Sequence, residues 1–172
     1  MNSISVQEAF YESDPGILRW KIDVYTGKSK KRLQVKKGDI AGSFCKADGR
    51  WKISFQGKSY NRARIMWILY NGNIPSGMDI DHINRNYSDD MIENLRCATK
   101  TQNQYNRGIK SNNSSGYIGV HWCETYKKWK AQISINGKKK SLGYYTTPQQ
   151  ASSVYNETAK SLHGRFYAGD AV

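Results

Sequence analysis

Apolar and polar residues alternate in short runs along the first third of the chain. Gly16-Ile17-Leu18-Arg19-Trp20-Lys21-Ile22 reads as a strand, and in Trp51-Lys52-Ile53-Ser54-Phe55 the residues Trp51, Ile53 and Phe55 share one face before Gln56-Gly57 ends the run. A basic loop, Lys28-Ser29-Lys30-Lys31-Arg32, and a turn-rich stretch, Lys36-Lys37-Gly38-Asp39, lie between them. The period then changes: from about Arg62 to Tyr70, Ile65, Met66 and Leu69 fall at i, i+1 and i+4, a helix that Asn71-Gly72 stops. Arg62 and Arg64 sit in its first turn, where the helix dipole disfavours cations. They therefore serve something other than helix stability, a phosphate contact or a solvated face.

The last third is patterned more strongly. Tyr117 to Trp122 forms a short strand, Trp129 to Ile135 a longer one, and Asn136-Gly137 turns the chain into Lys139 to Tyr145 as a hairpin. A capping box follows, with Thr147 as N-cap, Pro148 at N1 and Gln150 at N3, and Ala151, Val154, Tyr155, Ala159 and Leu162 trace the apolar face of the helix it starts. The expected outcome is a three-stranded antiparallel sheet packed on one helix. Trp122, Trp129, Tyr144 and Tyr155 are expected in its core.

Between these parts, Ile80 to Ile83 can form a strand, Asn84 to Asp90 is turn-forming throughout, Leu95 to Ala98 can return, and Thr99-Lys100-Thr101-Gln102 is a second capping box. That is a hairpin followed by a helix, with Asn103 in the helix's first turns. The fold class is α+β. A polar, glycine-containing segment at 108–115 reads as a linker, which divides the chain into 1–107 and 116–168.

Charge adds a partner class to this layout. The 172 residues hold 27 Lys+Arg against 14 Asp+Glu, a net +13, which points to a polyanion. The charge is +7 over residues 1–80, +1 over 81–110 and +5 over 111–172, so two basic flanks enclose a nearly neutral middle. With 38% hydrophobic and 12% aromatic residues the chain can build cores, which excludes a disordered basic tail. No apolar run approaches the roughly 20 residues that a bilayer requires, and MNSISVQEAF lacks the features of a signal peptide, so a cytoplasmic protein with no membrane partner is expected. Cys45, Cys97 and Cys123 offer neither a disulfide framework nor a zinc knuckle and are expected to be reduced and half-buried.

The near-neutral middle carries the candidate chemistry. Across a strand–helix crevice, Asp81 and Asn103 would offer two oxygen ligands to a hard cation, and magnesium needs little more from a protein because it keeps waters and takes substrate phosphate. His82, adjacent but on the other side of the strand, could take a proton from an attacking water, since imidazole titrates near neutral pH. Together these parts describe phosphodiester hydrolysis.

Residues 81–103, from Asp81-His82-Ile83-Asn84 through Asn94-Leu95-Arg96 to Gln102-Asn103, resemble the ββα-metal motif of the HNH endonucleases, in particular their bacteriophage and intron-associated homing-type branch. The resemblance extends over about residues 10–107. It implies that His82 is the general base, that Asp81 and Asn103 are ligands of Mg²⁺ or Mn²⁺ with no zinc, and that Asn94 with Leu95 forms the structural Asn-Leu. Two departures stand out. The family's central Asn, which holds the loop and orients the His, falls on Asp89, or on Asp90 if the loop slips by one. Ala63 stands where relatives often carry a His.

Residues 115–166 resemble the plant ethylene-response-factor (APETALA-type) DNA-binding domain, through Ser115-Gly116-Tyr117-Ile118-Gly119-Val120-His121-Trp122, Lys128-Trp129-Lys130-Ala131-Gln132-Ile133 and Leu142-Gly143-Tyr144-Tyr145. Strand parity turns Trp129, Ala131, Ile133 and Ile135 to the helix and leaves Lys130, Gln132 and Ser134 on an open face, joined by His121, Lys139 and Ser141. Such a face suits a major groove. The plant domain's base-reading arginines are absent at Ile118, His121 and Ser134, so its sequence preference is not implied.

The combined expectation is an HNH homing-type endonuclease that cuts double-stranded DNA, as a monomer or weak dimer, with a nick as the product of a monomer. The alternatives are a DNA-binding regulator with an inactive centre, suggested by Asp89, and an RNA-binding protein, suggested only by charge and aromatic content.

Overall fold

Aromatic side chains of the N-terminal hundred residues converge on one core, in which Phe10, Leu18, Ile53, Ile65 and Met66 are fully buried and the Phe10, Trp20 and Phe55 rings pack against one another. The computed structural model describes residues 4–26, 32–135, 137–167 and 169, and the chain divides into two units, Met1–Lys100 and Thr101–Val172. The Lys28–Lys31 part of the expected basic loop, and Asn136 of the expected turn, lie outside the described residues.

The first unit begins with a one-turn helix, α1 (Val6–Ala9), capped by Ser5 and Glu8. Strands β1 (Phe10–Asp14) and β2 (Ile17–Trp20) form a hairpin about Gly16, whose φ is +76°. Residues 16–22 were expected as one strand; Ile17–Trp20 is that strand, and its partner Phe10–Asp14 escaped the pattern because Tyr11-Glu12-Ser13-Asp14 is too polar to signal burial. The short pair β3 (Val24–Thr26) and β4 (Arg32–Val35) follows. Next comes the sheet β5 (Ser43–Cys45), β6 (Arg50–Phe55) and β7 (Lys58–Asn61), where Gln56 and Gly57 both adopt positive φ in a two-residue turn.

Helix α2 (Arg62–Asn71) ends as expected at Gly72, whose φ is +75° and whose N–H bonds to the Ile68 carbonyl. It buries Ala63, Ile65 and Met66 against the core. Strands β8 (Met78–His82) and β9 (Leu95–Thr99) pair antiparallel and lead into the six-residue helix α3 (Lys100–Tyr105). The hairpin and following helix of the sequence pattern are therefore present.

The second unit contains the sheet β10 (Val120–Cys123), β11 (Lys128–Ile135) and β12 (Lys138–Tyr145), with helix α4 (Pro148–His163) packed on β11 through Ala131 and Ala151. The α4 capping box is formed by Thr147 and Gln150, with Pro148 at N1. Three expectations differ in detail. Leu162 is 48% exposed. Trp122 and Tyr144 are exposed as well, Trp122 near the strand end and Tyr144 on the open face, whereas Trp129 and Tyr155 join the core.

The compact units divide after Lys100, whereas the sequence reading placed a boundary after residue 107. Tyr105 stacks on His163 with ring centroids 3.5 Å apart, which ties α3 to the second unit. The segment read as a linker is a hydrogen-bonded loop, since Asn113 Oδ1 accepts from the Ser115 and Gly116 N–H groups and Ser115 Oγ donates to the Val120 carbonyl. Polar composition alone does not distinguish a flexible connection from a loop whose side chains satisfy its own backbone.

Gly119 gives this unit a stability test. Its φ is +71°, and a Cβ there would fall within the Tyr155 ring. Gly119→Ala is expected to cost about 2 kcal/mol through overpacking and strain, read as a lower melting temperature; unchanged melting would mean that Tyr155 does not pack there.

Candidate active site

Pairing of β8 with β9 sets Asp81 opposite Arg96 and His82 opposite Leu95. Because neighbouring strand residues face opposite sides, Asp81 and His82 enter different environments, and both are buried, at 3% and 1% exposure. Arg96 grips Asp81 Oδ2 through Nε at 2.8 Å and Nη2 at 2.7 Å. A carboxylate has two oxygens, so this grip fixes the plane of the group by one of them.

On the other face, His82 Nε2 lies 2.9 Å from Asp90 Oδ1, and Arg62 Nε donates to Asp90 Oδ2 at 2.8 Å. Arg62 and Asp90 are 4% and 2% exposed, and the Arg62 guanidinium lies over the Trp51 ring at 4.3 Å. Arginine stays charged and has donors only, so Asp90 bridges a permanent cation and an imidazole. A carboxylate only accepts, which places the shared proton on Nε2 and leaves Nδ1 of a neutral ring as the acceptor.

The loop between β8 and β9 is held by its own side chains. Asn94 Oδ1 accepts from the Asn84 N–H at 2.9 Å and Asn94 Nδ2 donates to the Asp89 carbonyl at 2.8 Å. Asp89 Oδ2 accepts from Asn84 Nδ2 at 2.7 Å, and Asn86 Oδ1 accepts from the Ser88 hydroxyl at 2.8 Å. Asn94 thus joins the two ends of the loop. Asp90, the residue reached if the loop slips by one, lies against His82 in place of Asp89. Asp89 braces the loop and Asp90 reaches the imidazole.

Arg62 requires a second correction. Buried and ion-paired with Asp90, it is neither a phosphate contact nor part of a solvated face. The argument that a cation at this helix start serves something else holds, but the partner is a carboxylate of the protein. Arg64 Nη1 lies 3.2 Å from Asp79 Oδ1, with the side chains 35% and 49% exposed. Asn103 lies on α3 and belongs to the second unit, whereas Asp81 belongs to the first.

In the second unit, the register pairs His121 with Lys130, Gln132 with Ser141 and Ser134 with Lys139, so the six expected residues do share one sheet face. Lys130 also pairs with Tyr144, whose ring lies 4.5 Å from that of Tyr126. Burial, with Lys130 and Lys139 nearby, holds the His121 pKa below its ordinary value, so the ring enters this basic face uncharged at neutral pH. All three cysteines are free and half-buried. No helix among the described residues is long and apolar enough to cross a membrane.

Among the described residues no group of three or more His, Cys, Asp and Glu side chains could hold a metal ion. The buried carboxylate of Asp81 is an oxygen donor of the kind suited to a hard ion that keeps its waters. Asp90 was read from the sequence only as the slipped alternative to Asp89, and the ion pairs of Arg62 and Arg96 were not read at all. The Asp89-Asp90 doublet was a signal for the first; nothing local signals that Arg62 meets a residue 28 positions later.

Residues 61–105 match the HNH endonuclease family. Protein 3.8 of Escherichia phage T7 is 32% identical over 101 residues, covering 59% of this chain and 83% of the phage protein. The uncharacterized HNH endonuclease L560 of Acanthamoeba polyphaga mimivirus is 32% identical over 116 residues, 67% of this chain and 59% of the mimivirus protein. Among solved structures, the HNH homing endonuclease I-HmuI, from work on its DNA binding and cleavage, is similar with a TM-score of 0.39 at 17% identity, covering 96% of this chain and 91% of that one.

Proposed function

We propose that this chain, whose residues 61–105 match the HNH endonuclease family, is a metal-dependent endonuclease of the homing type that hydrolyses phosphodiester bonds in double-stranded DNA. The observation that carries the reading is the buried imidazole of His82, tied through Nε2 to a carboxylate that Arg62 neutralises, one residue from the buried carboxylate of Asp81. Nδ1 of His82 accepts the proton of the attacking water as its oxygen bonds to phosphorus. The bond from phosphorus to the leaving oxygen breaks, and that oxygen takes a proton from solvent. At 1% exposure His82 is shielded from bulk water, so the water that it activates enters with the DNA.

Asp81 would hold Mg²⁺ or Mn²⁺, with Arg96 orienting its carboxylate, and Asn103 is the further ligand that the resemblance of residues 81–103 to the ββα-metal motif implies. The ion, when bound, supplies charge stabilisation at the phosphate and the leaving oxygen. Asp90 keeps His82 in the tautomer that can accept a proton. The regulator alternative was suggested by Asp89, which bonds to Asn84 within the loop, while the acid that meets His82, Asp90, is paired with Arg62.

The basic face of the second unit, with Lys130, Gln132, Lys139 and their neighbours, would supply duplex affinity, as the resemblance to the ethylene-response-factor domain implies. One motif in a monomer cuts one strand, so the expected product is a nick. Supercoiled plasmid should relax with Mg²⁺ and remain supercoiled in EDTA, and Asp81→Ala or Asn103→Ala should remove the metal-dependent activity. A persistent gel shift without nicking at any metal or pH would overturn the enzyme reading in favour of the regulator.

A further inference from the structure

Three arginines of the first unit are committed to carboxylates: Arg62 to Asp90, Arg64 to Asp79 and Arg96 to Asp81. Arg50 is used differently. It is the first residue of β6, brought there by the turn that Gly49 closes with a bond to the Cys45 carbonyl. The nearest acid in sequence, Asp48, accepts the Arg50 backbone N–H and gives its other oxygen to Lys52 at 2.6 Å. Among the described residues no carboxylate pairs with the Arg50 guanidinium. Its Cζ lies over the Tyr87 ring, 4.0 Å from the centroid, and that ring meets His82 in a T-shaped contact with centroids 5.7 Å apart.

We propose that Arg50 is a phosphate-binding residue of the candidate active site, held by Tyr87 beside His82 to take the backbone of the cleaved strand at or next to the scissile phosphate. The proposal rests on the endonuclease reading and adds a residue outside the 61–105 family match. A guanidinium over a ring face, with no carboxylate partner among the described residues, keeps N–H groups for phosphate oxygens, which a guanidinium can bind by two parallel bonds. Tyr87 is 43% exposed and Arg50 half-buried, so the pair is open to a strand laid across the loop. The two ring contacts also keep the guanidinium no farther from the imidazole than their combined length. Adjacent Trp51 packs under Arg62, so the start of β6 touches the His82 environment twice, once through the buried ion pair and once through Tyr87.

The test uses the full chain and a plasmid-derived duplex. Arg50→Ala should lower the slope of log affinity against log salt by about 0.9, the release expected for one phosphate contact, and slow nicking with Mg²⁺ about 10- to 100-fold with an unchanged melting temperature. Arg50→Lys should keep the salt slope and recover only part of the rate, because a point charge replaces the planar fork. Tyr87→Phe, which keeps the ring face, should keep the salt slope, and Tyr87→Ala should approach Arg50→Ala. An unchanged salt slope in Arg50→Ala, or equal losses in melting, binding and rate, would overturn the assignment. The gel-shift slope needs no cleavage, so failure of wild type to nick would count against the endonuclease reading and leave this test standing.

Discussion

His82→Ala is expected to slow cleavage at least about 100-fold, the scale of a lost general base, while duplex affinity stays near that of wild type. The effect is large because His82 is the one histidine of residues 1–100, which carry the buried Asp81 and Asp90 carboxylates. The substitution also takes a partner from the buried Asp90 carboxylate, so His82→Gln is the companion variant. Its side-chain amide can keep a donor toward Asp90 but accepts no proton at neutral pH. Plasmid nicking and gel shift on both variants check the role. Parallel loss of cleavage and binding in a folded His82→Gln protein would make His82 structural.

The second large effect concerns folding. Arg62→Met leaves Asp90 as a buried carboxylate without its cation and is expected to cost about 3–5 kcal/mol, as removal of one partner of a buried pair does. The double variant Arg62→Met with Asp90→Asn removes both charges, and Asn Oδ1 can still accept the His82 Nε2 proton, so most of that stability should return. Denaturant unfolding of the two single variants and the double variant measures the coupling. Additive costs would mean that the two groups act independently and that the 2.8 Å contact contributes little. Recovered stability together with nicking would identify orientation of His82, rather than the charge of Asp90, as the requirement at this position.

The arginine pair also separates what the sequence could reveal from what it could not. That Arg62 is poorly suited to a helix start is a local fact, visible from the dipole argument. Its remedy is not local, since Asp90 lies 28 residues away across β8 and its loop. The ambiguity over Asp89 and Asp90 has the same origin. Both are acidic turn residues in sequence, and only the loop's path, set by Asn94 holding Asn84 and the Asp89 carbonyl, decides which reaches the imidazole. Arg50 escaped notice for a further reason: a basic residue after a turn reads as solvated until the 84–90 loop brings Tyr87 under it.

The elements whose stabilising groups are close in sequence were legible. Helix α4 carries its capping box and its Ala151–Ala159 stripe within itself, α2 its Gly72 stop, and the β11–β12 hairpin its parity, so that His121, Lys130, Gln132, Ser134, Lys139 and Ser141 could be assigned one face in advance. The Asp81-His82 pair and the hairpin and helix around it were legible because motif chemistry and turn residues coincide there. Tertiary structure decided where buried charges find partners, whether the polar 108–115 segment is a tether or a bonded loop, and which aromatic residues are covered. The physical reason is common to these cases. Backbone propensity and periodicity act over a few residues, whereas a buried cation, a carboxylate or a ring face is satisfied by whatever the fold brings to it.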